Sequence, residues 1–259
     1  MSLVVRMFEA LGGGVLAALE ELGRTSRMGG LALVNLVQRP VRWRETIRQV
    51  QFIGIQSLPI ILLCSLFTGA VFTWESHEAF ALFGAQGLVG GTVGVAITRE
   101  LAPTLTGLLV AGRAGSAIAA EIGSMRVSEQ IDALEAMAVD PVNYLVKPRV
   151  VAATLAMPLL TLIFDFMGIL GSYLVAIYLL HMNYPEFMVR LQDWVDWDDI
   201  AAGLIKSTCF GLIVGVVACT KGFYTEGGAV GVGRATTSAV VVASVAILVS
   251  NYFIAVMLP

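Results

Sequence analysis

Five long apolar stretches limit what this chain can fold into. Residues 51–73 contain only Gln51 and Gln56 as strongly polar positions, and residues 87–112 are apolar apart from Arg99 and Glu100. Residues 150–180 carry Asp165 as their sole charge, residues 201–219 carry Lys206, and residues 235–258 carry none. A helix needs roughly 20 apolar residues to cross a bilayer, so each stretch is read as one span. Lipid-facing barrel strands alternate polar and apolar residues in segments of about ten. These runs are apolar on every face, which excludes that architecture. The overall charge agrees with lipid as the solvent, at 14% charged residues against about 25% in soluble proteins. The expected fold is all-α and membrane-integral: an N-terminal membrane-surface helix and five transmembrane helices.

Small residues recur four apart at Gly90 and Gly94, Ala111 and Gly115, Gly115 and Ala119, and Gly211 and Gly215. That spacing puts both on one helix face and lets backbones approach closely, within the chain or across a dimer interface. Basic residues accumulate on the cytoplasmic side of membrane proteins. Thirteen of the sixteen here fall before the first span or in the loops after the second and fourth spans, while Arg190 stands alone on the other side. The N-terminus is therefore expected in the cytoplasm and the C-terminus outside, together with the acidic, aromatic segment EFMVRLQDWVDWDD at residues 186–199.

Two regions are expected: an interfacial segment at residues 1–48 and a five-span domain at residues 49–259. In the first, Phe8, Leu11, Val15, Leu19 and Leu22 recur at helical spacing with Glu9, Glu20 and Glu21 elsewhere on the wheel, which suits a helix lying along the membrane surface. Gly12, Gly13 and Gly14 would bend or break it. The glutamates and the lack of an A-x-A site argue against a cleaved signal peptide.

Catalytic constellations are missing. The only histidines, His77 and His181, have no partner motif, and Cys64, Cys209 and Cys219 form no C-x-x-C pair, so neither a catalytic nor a metal site is expected. The sequence GVVACTKG from Gly215 lacks the glycine that a phosphate-binding loop places before its lysine. Any use of ATP would therefore fall to another subunit, and no nucleic-acid partner is expected.

Attention then moves to charges inside the membrane, each costing about 2.5–3.5 kcal/mol on insertion scales. Arg99 and Glu100 sit mid-span in TRELAP, just before Pro103. Adjacent residues project about 100° apart on a helix, so the two need not pair; Lys206 and Asp165 are candidate partners. Two roles stay open for these charges: tying helices together and gating substrate.

A second anomaly is EIGSMRVSEQIDALEAMAVDP at residues 121–141, a charged run in an oily chain. Ser128 can cap a helix here, with Glu129 and Asp132 in its first turn and Asp140-Pro141 at its end. The helix, over about residues 128–139, is too short to span. Ile131, Leu134, Met137 and Ala138 share one side, and Glu129, Asp132 and Glu135 the other. Helices that rest on anionic headgroups are usually basic. An acidic face suits a basic groove on another protein instead.

The run AGRAGSAIAAEIGSMRVSEQIDALEAMAVDP (111–141), with TRELAP (98–103) before it and VGVGRATTSAVV (230–241) after the fourth span, resembles the MlaE/YrbE family. These are permease subunits of bacterial ABC systems that move lipids across the envelope. The resemblance covers about residues 30–258. It implies a homodimer in the bacterial inner membrane and a cytoplasmic ATPase (MlaF-like) that binds ATP and Mg. It also implies a small STAS-domain protein (MlaB-like), a periplasmic MCE-domain protein (MlaD-like) and phospholipid as cargo, with a part in outer-membrane lipid asymmetry. Glu129, Asp132, Leu134 and Met137 would dock the ATPase. Arg99, Glu100, Leu101 and Lys206 would lie near the lipid cavity. Phe72, Trp74, Phe80 and Phe83 would line its upper part, or else form an interfacial aromatic belt. The rival readings are an ion-coupled secondary transporter running on Arg99, Glu100, Asp165 and Lys206, and a membrane scaffold that transports nothing.

Overall fold

The computed structural model describes residues 12, 16, 19–20, 23–32, 34 and 42–258, and every element among them is helical. Most of the N-terminal pattern, Phe8, Leu11, Val15 and Leu22 with Gly13 and Gly14, lies outside the described residues; Gly12 and Leu19 are helical and exposed. Helix α1, residues 23–32, buries Met28 and Ala32. At Gly29 it comes so close to Val216 that an added methyl would sit 3.3 Å from that side chain.

Five continuous helical stretches are long and apolar enough to cross a membrane: Trp43–Ala81, Gln86–Val127, Val142–Leu179, Trp197–Phe223 and Gly228–Met257. Each matches one of the expected apolar runs, two of which end one residue beyond their helix. The first joins α2 (Trp43–Ile53) through a tight turn at Ile55–Ser57 to α3 (Leu58–Ala81). The second is assembled from α4 (Val89–Ala96), α5 (Ala102–Val110) and α6 (Ser116–Val127), with wide π turns at Ile97–Leu101 and Ala111–Gly115 between them. At 42 residues and about 1.5 Å per residue it extends to roughly 60 Å, twice a hydrocarbon core. It is longer than one crossing needs, and its far end carries α7 (Gln130–Ala136). The chain returns through a π turn at Val142–Val146 into α8 (Lys147–Leu174). It then runs along the opposite surface as α9 (Tyr184–Trp194) and finishes with α10 (Trp197–Phe223) and α11 (Gly228–Met257). The segment 186–199, expected outside, thus forms α9 and the first turn of α10.

Helix α10 is the keystone, packing on α8, α5, α6 and α11. Its glycines explain how. A methyl at Gly211 would lie 2.6 Å from the Ala153 carbonyl of α8, and one at Gly203 would overlap the Thr98 carbonyl. Without a hydrophobic drive between helices in lipid, such close backbone approach is what holds spans together. The small-residue pairs pack inside the chain: Gly90 and Gly94 receive Phe187 and Leu191 of α9, and Gly115 receives Val214. Helices α3 and α8 meet along a small, polar seam at Gly69 and Gly168, with Thr73 Oγ1 donating to Ser172 Oγ at 2.6 Å.

Candidate functional site

Pro103 sets up the site in the membrane. Having no amide N–H, it leaves the carbonyl four residues earlier, that of Arg99, without its helical donor. The backbone widens into the π turn at Ile97–Leu101, a geometry frequent at functional positions in helices. The Arg99 carbonyl accepts instead from Lys206 Nζ at 3.0 Å. Lys206 can reach it because Gly203, one turn earlier, lets α10 press against Thr98. The same ammonium donates to Glu100 Oε1 at 2.6 Å, and Glu100 Oε2 accepts from Asn251 Nδ2 of α11 at 3.0 Å.

Arg99 and Glu100 do not pair with each other. The Arg99 guanidinium lies 3.5 Å from Asp199 Oδ1 and donates to the Leu258 carbonyl at 3.0 Å. Asp199 is itself fixed by a capping box with Asp196 at the start of α10. The second, fourth and fifth spans are thereby stitched through two linked ion pairs. Burial is uneven across the network: the Lys206 side chain is 1% exposed, whereas Glu100 is 42% exposed. The cation is sealed inside while its carboxylate keeps an open edge.

The other expected site residues fall elsewhere. Leu101, Phe72 and Phe80 are half-buried against the core. Trp74 and Phe83 point outward, at 41% and 82% exposed, so the four aromatics do not form one lining. Asp165 joins neither ion pair; it is buried on α8, and its Oδ1 has no hydrogen-bond partner among the described residues. No three His, Cys, Asp or Glu side chains converge as a metal would require among the described residues. Asp199 and Asn251 belong to this network, and sequence reasoning missed them. Asp199 was hidden in an acidic run assigned wholly to the outside, and Asn251 is neutral. The available signal was a strongly polar side chain in an otherwise apolar span.

The acidic helix is present but shorter than expected, and its ends are built differently. Ser128 does not cap it. The Ser128 hydroxyl donates back to the Ser124 carbonyl at 2.8 Å, closing α6, and Glu129 takes the left-handed N-cap position at φ 57°. At the other end Ala138 is left-handed at φ 56°. Val139 N–H bonds the Leu134 carbonyl and Ala138 N–H the Glu135 carbonyl, both at 2.9 Å, which is a Schellman closure. The helix therefore stops before Asp140, whose carboxylate accepts from the Val142 amide at 3.1 Å and so begins the next helix. Its expected apolar side divides as well: Ile131 is fully buried, Leu134 is half-buried against the core, and Met137 is 65% exposed. Glu129 and Asp132 are exposed, the latter in an ion pair with Arg126 at 2.5 Å. Helix α7 rests on α6 and presents Glu129, Asp132 and Met137 outward.

Five spans, a charged seam between them and a short acidic helix slung from the second span define a multi-pass helical membrane protein. The family model described as Permease MlaE matches residues 46–257, and the chain belongs to that family. It is 45% identical over 235 residues to a probable ABC transporter permease protein of Rickettsia prowazekii, covering 91% of each chain. It is 37% identical over 247 residues to the intermembrane phospholipid transport system permease protein MlaE of Haemophilus influenzae, covering 95% of each. A 40% identity over 229 residues links it to the chloroplastic protein TRIGALACTOSYLDIACYLGLYCEROL 1 of Arabidopsis thaliana, covering 87% of this chain and 64% of that protein. Membership makes it a non-catalytic ABC transporter permease that works with an ATPase partner.

Proposed function

We propose that this permease moves phospholipid between a bacterial inner membrane and a periplasmic MCE-domain partner, and so contributes to outer-membrane lipid asymmetry. It works as a homodimer with its N-terminus in the cytoplasm and its C-terminus in the periplasm. A cytoplasmic ATPase, which brings ATP and Mg, docks on α7 beside a STAS-domain protein. The observation that carries the reading is the half-open Glu100–Lys206 pair. A buried cation that already satisfies its own carboxylate and a backbone carbonyl fixes Glu100 in place, while the open carboxylate edge offers a polar contact on an otherwise apolar surface. That combination suits a molecule with one polar end and long apolar chains.

Glu129, Asp132 and Met137 form the outward face for the ATPase, and Leu134, with Ile131, fixes the pose of α7. Arg99, with Asp199, anchors the π turn, and Leu101 packs beneath it; Phe72 and Phe80 belong to the core around the upper wall, while Trp74 and Phe83 face lipid at the interface. ABC membership leaves an ion-coupled mechanism without a task, and Asp165 hydrogen-bonds to none of the other three charges. The test is ATP-dependent transfer of a labelled phospholipid from proteoliposomes holding the assembled complex. The expected result is transfer that requires ATP, survives collapse of the proton gradient and falls at least tenfold in Glu100→Gln. Transfer driven by the proton gradient without ATP would overturn the reading.

A further inference from the structure

At the α7 end of the molecule, a cavity of about 250 Å³ opens between α2, the end of α6 and the start of α8, lined by Glu45, Arg48, Gln49, Glu121, Tyr144 and Arg149 among others. Two features set it apart from a packing defect. Its lining balances two guanidiniums against two carboxylates, so a lone anion or a lone cation would meet as much repulsion as attraction. The α2–α8 contact beside it also holds polar atoms with no hydrogen-bond partner among the described residues. They are the Thr46 hydroxyl, Gln49 Oε1 and Arg149 Nε. Arg149 is only 5% exposed, although two of its nitrogens are engaged, by Glu121 and by the Leu145 carbonyl, both at 2.8 Å. Buried polar groups in native proteins are nearly always satisfied, so the two on lining residues, Gln49 Oε1 and Arg149 Nε, mark a place where a polar guest completes the structure. The guest must both accept and donate.

Depth says where it comes from. On α2, Trp43 and Ile47 are 64% and 55% exposed on one face, while Thr46 and Ile53 are buried on another. A helix with that division, headed by an exposed tryptophan, lies at the lipid headgroup level. We propose that this cavity binds the headgroup of a zwitterionic phospholipid from the leaflet on the α7 side. The phosphate lies toward Arg48 and Arg149, and the ammonium toward Glu121 and Gln49. A primary ammonium fits and a trimethylated one does not, because only the former can donate to Gln49 Oε1 and a carboxylate. The site is separate from the Glu100–Lys206 pair. It lies where α2 and the α6–α8 turn meet, so an occupied site braces the base from which α7 projects.

The test is native mass spectrometry of the purified full chain, titrated with dioleoyl-phosphatidylethanolamine, the corresponding phosphatidylcholine and dioleoylglycerol. The expected result is one phosphatidylethanolamine adduct bound at least tenfold more tightly than dioleoylglycerol and several-fold more tightly than phosphatidylcholine. In Arg48→Ala/Gln49→Leu, which spares the buried Arg149, this adduct weakens tenfold with an unchanged melting temperature. Glu100→Gln leaves it intact, so failure of the transport reading and failure of this one are distinguishable. Equal binding by the double variant, or no preference over dioleoylglycerol, would overturn the proposal. Full displacement by millimolar inorganic phosphate would assign the cavity to a soluble anion and also overturn it.

Discussion

The Glu100–Lys206 seam and helix α7 are two charged parts of this permease held in opposite ways. The seam locks three spans around a cation sealed from solvent: Lys206 bonds to Glu100 and to the Arg99 carbonyl, Asn251 to Glu100, and Arg99 to Asp199. Helix α7 is seven residues long, rests on α6, and is anchored by a single fully buried side chain, Ile131. Charge deep in the membrane fixes geometry because an unpaired group there is expensive. Charge on α7, at Glu129, Asp132 and Glu135, is exposed. One continuous helical stretch, Gln86–Val127, interrupted by two π turns, connects α7 to the seam.

Breaking the seam should produce the largest effect. Lys206→Met removes the ammonium and leaves both the Arg99 carbonyl and Glu100 short of a donor, at a cost of about 3 kcal/mol, the range for splitting a buried pair. Denaturant unfolding in detergent should show the loss. Adding Glu100→Met to that variant should recover much of it, because an apolar pair of similar volume replaces an ion pair at little net cost. If the double variant is as unstable as the single one, the pair is not the element that holds these spans.

Breaking the other side of the comparison should cost less and act locally. Ile131→Ala empties the one fully buried contact of α7, a loss of about 2 kcal/mol at the lower end for such a truncation. Hydrogen exchange should quicken over residues 130–139 and stay unchanged at Lys206. Exchange that quickens along α10 as well would mean the two regions are one cooperative unit.

Much of this comparison was legible in the sequence. The five spans were, because length and apolarity suffice to specify a transmembrane helix. So were Arg99, Glu100 and Lys206 as charges inside spans, because charges are so rare there. The pairing was not, since helix phase alone leaves Lys206 and Asp165 as equal partners for Glu100, and the π turn changes the phase itself. Pro103 was the visible clue to that turn. The ends of α7 were misread for a related reason. A serine can cap the helix that follows or bond the carbonyl four residues back, and Ser128 does the second. Likewise Asp140-Pro141 reads as a stop, yet Asp140 is a start.

The Schellman closure sharpens the comparison further. Ala138 holds φ 56°, a conformation that glycine adopts freely and other L-residues adopt at a cost of roughly 1 kcal/mol. Ala138→Gly should therefore protect α7 by up to about 1 kcal/mol in hydrogen exchange, even though glycine is a poor helix former. A loss of protection would show that the left-handed turn is not held in solution.

The smallest effect should come from Arg126, whose guanidinium meets Asp132 at 2.5 Å with side chains 37% and 54% exposed. Exposed ion pairs contribute about 0.2–1 kcal/mol and are screened by salt. Arg126→Ala should thus loosen α7 by no more than about 0.5 kcal/mol at low ionic strength, and the difference from the parent should vanish in 1 M salt. The seam should behave otherwise: Lys206, sealed from solvent, should give a stability difference that salt barely changes. Measuring both variants at two salt concentrations tests the distinction directly. An Arg126 effect that persists in high salt would mean that α7 is held by geometry as firmly as the seam is, and that a partner would have to bend the second span rather than swing the helix.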